Sequence, residues 1–143
     1  MNNQSKQPIS PTAHGHRLVV ETLNTHPNAL RRLHSPGSAE NELSELIVHT
    51  ALHLDTVQKE LVDRCTWAAQ DLTRVATGTA APNSLGVLQN SGLQIDLLAA
   101  RRADAKAHLR SALAAYQRVT TIAKPQHAGP HPPLPSRTSP RTR

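Results

Sequence analysis

The chain has 143 residues, enough for one domain of ordinary size and too few for two. One Trp, one Tyr and no Phe leave a core to be built from Leu, Val, Ile and Ala, which favours packed helices over an aromatic-rich sheet. The net charge of +6 sits at the ends, with +3 in residues 1–38, −1 in residues 39–123 and +4 in residues 124–143, and the single Cys65 excludes an intrachain disulfide or a cysteine-based zinc site.

Residues 1–38 form a basic arm containing proline and histidine. Its start, MNNQSKQPIS, lacks the basic and then apolar run of a secretory signal, and no apolar run in the chain is long enough to cross a bilayer. The expectation is a cytoplasmic protein with no membrane contact. The arm is expected to be mostly flexible. "HRLVVETL" and "NALRRLH", interrupted by Pro27, each hold enough leucine for a short helix that docks on something. The sequence leaves open whether it does.

Ten of the eleven prolines lie in the two ends, so only the stretch between them can form long helices. The first is expected over about 39–77. Ser38 is a suitable N-cap, Glu40 and Glu42 fall where the helix dipole favours acids, and Gly78 is available for a left-handed C-cap. Leu43, Ile47, Thr50, Leu54, Val57, Leu61, Cys65, Ala68, Leu72 and Val75 gather into one stripe at about 100° per residue.

The second helix is expected over about 84–123. Leu88, Ser91, Ile95, Leu98, Arg102, Ala105, Leu109, Ala112, Tyr116, Val119 and Ala123 alternate in steps of three and four, the a/d pattern of a coiled-coil seam. Its start is open: Asn83 or Ser84 could cap it after Pro82, while Gly86 and the box-like Ser91-x-x-Gln94 allow a later one. Residues 124–143, "KPQHAGPHPPLPSRTSPRTR", are too poor in apolar side chains to repay ordering and read as a disordered, Pro-rich basic tail.

The expected fold is therefore all-α. It is an antiparallel two-helix, coiled-coil-like hairpin over residues 39–123, completed by a short helix of the arm or by dimerisation into a four-helix bundle, with disordered ends. The first helix carries seven acids and three bases, the second five bases and two acids, an opposition that favours the hairpin. Within "RRADAKAHLR", Arg102 occupies a seam position. A turn near residue 80 sets it close to Glu60 and Asp63, the expected hairpin charge pair, since a buried charge needs a partner.

Val48, Leu52 and Trp67 point away from the first-helix stripe and form the candidate interaction patch. Glu45, His49 and His53 are spaced four apart on one helix face, a weak candidate for a metal; the residue after His49 is Thr50, not the Glu that the metalloprotease helix requires. A thiol in the apolar stripe, as for Cys65, acts as a small hydrophobe. No nucleophile, base and orienting acid can be assigned together, and no glycine-rich phosphate loop follows a strand, so neither catalysis nor a cofactor is expected. Trp67 is followed by Ala68 and Ala69 and the loop "TGTAAPNSLG" has no Trp, so the W-x-G turn of small exported helical hairpins is absent.

These features point to a non-enzymatic helical interaction or oligomerisation module, associating with itself or with a protein partner. The alternative is an accessory nucleic-acid-binding protein whose flexible ends neutralise phosphates, with Arg31, Arg32, Lys124, Arg137, Arg141 and Arg143 as polyanion contacts.

Overall fold

A computed structural model describes residues 13–81 and 86–122 of the chain. In order come α1 (His14–Leu23), α2 (Pro27–Leu30), α3 (Ala39–Ala76) and α4 (Gln89–Ile122), with no strand among the described residues. None of these helices is long and apolar enough to cross a membrane.

The ends of α3 follow from its capping residues. Ser38 is extended, and its hydroxyl accepts the Asn41 amide at 3.1 Å, with Glu40 and Glu42 in the first turn. After Ala76 the chain turns out through Gly78, whose φ of +73° is costly for residues with a Cβ. The Gly78 and Thr79 amides then close on the carbonyls of Val75 and Arg74 at 3.1 and 2.9 Å. At 38 residues, α3 spans about 57 Å. Its partner α4 begins at Gln89, the later of the starts that the sequence left open, after Gly86 turns the chain with a φ of +93°. Asn83 and Ser84, the alternative caps, lie outside the described residues, as do Pro82 and Ala123.

The two long helices pack on each other with their contacts in opposite order: Ser44 of α3 meets Tyr116 of α4, and Gln58 meets Arg102. One core joins Ile47, Ala51 and Leu54 to Ala105, Leu109, Ala112, Leu113 and Tyr116, and Val19 and Leu30 enter it from α1 and α2. A smaller one joins Val57 and Leu61 to Leu98, with Ile95 and Ala99 alongside. Seam residues Leu98, Ala105, Leu109, Ala112 and Tyr116 are buried, while Arg102 stays exposed and Leu113 joins the core from outside the seam.

The arm, expected to be mostly flexible apart from short helices at HRLVVETL and NALRRLH, contains two short helices at those stretches, and both pack on this pair. Helix α1 rests on α3 and also touches α4, and α2 rests on α3. The α1 backbone comes close against α3 at Gly15, where an added Cβ would overlap the backbone carbonyl of Ala51. At its N-terminus α1 has Ala13 and no side-chain cap of its own. Asp55 of α3 supplies one, accepting the Gly15 amide at 2.6 Å with the His16 amide also directed at it. Asn24 ends α1 in the left-handed conformation at φ 50°, and α2 starts with Pro27 at its first turn behind the His26 ring, which accepts the Asn28 amide at 3.3 Å. A hydrogen bond of 2.7 Å between His34 and the Tyr116 hydroxyl ties the following segment to α4.

The packed arm overturns one part of the expected patch. Val48 is 2% exposed, because Ser44, Val48, Ala51 and Asp55 share the α3 face on which the arm lies. Two stripe residues of the far half differ in the other direction: Cys65 and Leu72 are exposed, lying beyond the small cluster of Val57, Leu61 and Leu98 and outside both cores.

Candidate functional sites

Two helices alone expose one set of surfaces, and the addition of α1 creates another. In the far half, beyond Val57, Trp67 is 56% exposed and Leu93 is 74% exposed, with Leu72, Leu88 and Leu97 also open to solvent. Between α3 and α4 here runs a groove of about 420 Å³ lined by Glu60, Asp63, Arg64, Trp67, Gln94, Leu97, Leu98 and Arg101. The Arg64 guanidinium lies 5.2 Å from the centroid of the Trp67 ring, a cation–π contact that holds one edge of it. Leu52, the third member of the expected patch, is exposed but belongs to the near half.

The charge pair expected at the seam does not form as read. Arg102 donates to the buried Gln58 at 3.4 Å, and Asp63 accepts from Lys59 at 2.8 Å, its neighbour one turn back on the same helix. That contact raises the Lys59 pKa. Glu60 lines the far groove and makes no ion pair among the described residues. Arg102 needs no carboxylate because α4 turns its head group to the surface, where water solvates it.

The proposed metal set is also divided. Glu45 pairs with Arg31 of the arm at 2.8 Å, which draws its carboxylate away from His49 and His53. These two histidines, with His108 of α4, line a shallow groove beside Leu43, Leu46 and Ala112. Among the described residues, no group of three or more His, Cys, Asp or Glu side chains is placed to hold a metal ion. The same ion pair makes Arg31 a structural contact of the arm. Arg32 is exposed, and Lys124, Arg137, Arg141 and Arg143 lie outside the described residues.

A third surface lies between α1 and α4. His14, Arg17, Leu18 and Glu21 face Arg102, Ala103 and Lys106 across a cleft of about 430 Å³, with Leu54 at its floor. Arg17 reaches the His14 ring at 3.2 Å and Glu21 at 3.8 Å. Burial lowers the His14 pKa, and Arg17, Arg102 and Lys106 depress it further. Asp55, beneath α1, has its pKa raised by burial, against the opposing pull of the Gly15 and His16 amides. His16 is lowered by burial and by His26, whose ring meets it edge to face at 4.2 Å.

Sequence reading missed this cleft because its two walls are about 85 positions apart in the chain and meet only when the arm packs. The signal present was the i, i+4 pair Arg102 and Lys106, together with Arg17 on an amphipathic segment. In comparisons with family models, curated proteins and solved structures, none matches this chain.

Proposed function

We propose that the protein is a non-enzymatic helical interaction module that associates with a second copy of itself through the far half of its α3–α4 hairpin. The observation that carries this reading is the contrast along the long helices: α1 and α2 cover the near half, whereas Trp67, Leu72, Leu93 and Leu97 stand exposed around the far groove. A pair of long helices with one shared seam buries limited apolar area, so a second layer is favourable wherever the arm does not provide one. In the far half both helices are charge-balanced, with Lys59, Arg64 and Arg74 against Glu60, Asp63 and Asp71 on α3 and Arg101 against Asp96 on α4, so two copies can meet there by a two-fold arrangement without net repulsion.

The test is the molar mass of the full chain by light scattering over a wide concentration range, compared with a Trp67→Glu, Leu97→Glu variant. The expected outcome is a concentration-dependent dimer that the variant shifts to monomer, with helix content unchanged. A monomer at every concentration overturns self-association.

A further inference from the structure

The cleft between α1 and α4 collects cations from two elements that the fold brings together, and this lies apart from the far groove. Arg102 and Lys106 are one turn apart on α4 and face Arg17 and His14 of α1. Glu21 is the one carboxylate among the lining residues, and it is engaged by Arg17. Asp55 lies behind α1, its carboxylate directed at the amides of Gly15 and His16. Among the described residues neither Arg102 nor Lys106 makes an ion pair. Asp104, between them in sequence, is exposed and turned about 160° to 200° away around α4 at about 100° per residue.

From this placement we infer that the α1–α4 cleft is a binding site for a diphosphate-type oxyanion, held by Arg17, Arg102 and Lys106. Two guanidinium forks suit the paired oxygens of a phosphate, and a lysine ammonium adds a point charge that accepts many geometries. One phosphate oxygen pair can meet each wall, so a ligand with two adjacent phosphates bridges α1 and α4 better than a monovalent anion. Gln58, buried beneath, holds the Arg102 head group from α3 and so positions it at the mouth. Leu54 at the floor, with Leu18 and Ala103 on either side, gives the cleft an apolar lining, where the organic part of a phosphorylated compound would rest.

The experiment is calorimetric titration of the full chain with inorganic pyrophosphate and with ADP at fixed ionic strength. It compares Arg102→Gln, Lys106→Gln with Arg74→Gln, Arg118→Gln, which removes two exposed cations outside the cleft. The expected result is saturable binding with one site per chain, weakened about tenfold or more in the first variant and nearly unchanged in the second. Bound pyrophosphate also moves the His14 ring resonance to a higher titration midpoint, a readout that remains local if the basic ends attract anions as well. Tighter binding of ADP than of pyrophosphate assigns the apolar lining to the organic group; equal binding assigns the site to the phosphates alone. Equal losses in both variants, or an unmoved His14 resonance, overturn the proposal, since general attraction to a basic chain would give those results.

Discussion

Gly15 and Asp55 do at the residue scale what the arm needs in order to pack. With no side chain, Gly15 lets the α1 backbone approach the Ala51 carbonyl, and a Gly15→Ala variant would place its methyl within that carbonyl. The helix must then lift or tilt, so we expect a loss of about 1–3 kcal/mol in urea denaturation, with α1 becoming the first site of limited proteolysis. The titratable groups around it act in opposite directions. His14 and His16 have folded-state pKa values below their ordinary 6.5, so the stability they contribute is full above that value and is lost as pH falls through the lowered ones. Asp55, raised above its ordinary 3.8 by burial, contributes most below that value, and its contribution declines as pH rises through the raised one. Falling pH from about 7.5 to about 5 removes the contribution of the two histidines. Acidification over that range is expected to destabilise the chain, and a His14→Gln, His16→Gln variant to flatten the denaturation midpoint against pH. An unchanged slope in that variant would assign the pH dependence elsewhere.

Among the elements, the helices were the legible part, the short ones at HRLVVETL and NALRRLH included, while the contacts by which the arm docks were not. Ser38, Glu40, Glu42 and Gly78 mark the ends of α3 because caps act within one turn, so the sequence alone carries them. The apolar period likewise identified Ile47, Leu54, Leu98 and Leu109 as inward. Val48 was misassigned because a single stripe presumes one partner surface, whereas α3 has two: α4 on one side and the arm on the other. The arm's docking was hidden for a related reason: the Gly15 crossing, the Asp55 cap on α1 and the Arg31–Glu45 pair all join residues far apart in sequence. This difference in layering yields a prediction for two leucines of the same seam. Leu109 is fully buried in the core to which α1, α2, α3 and α4 all contribute, while Leu98 belongs to the small cluster with Val57 and Leu61. Leu109→Ala should fall at the upper end of the range of about 2–5 kcal/mol for such truncations, and Leu98→Ala at or below its lower end. Equal costs would mean that the far half is as well packed as the near half.

Across the whole molecule, the consequence is a gradient of stability along one pair of helices. The near half has three layers and a continuous core, and the far half has two helices whose outward faces carry Trp67, Leu93 and Leu97. Opening of the far half exposes little additional apolar surface, so its backbone amides should exchange through local events of low free energy, while those in the near half should wait for global unfolding. In dilute solution, hydrogen exchange is expected to be slowest over 44–54 and 105–116 and markedly faster over 60–72 and 93–101. Concentration then separates the two origins of protection. If a second copy covers the far groove, raising the protein concentration slows exchange over 60–72 and 93–101 and leaves the near half as it was, because mass action stabilises only what the partner touches. Uniform slowing along both helices would instead indicate that association stabilises the fold as one unit. No change with concentration would mean that the far groove is not covered by a second copy, and its exposed leucines and Trp67 would then belong to a different contact.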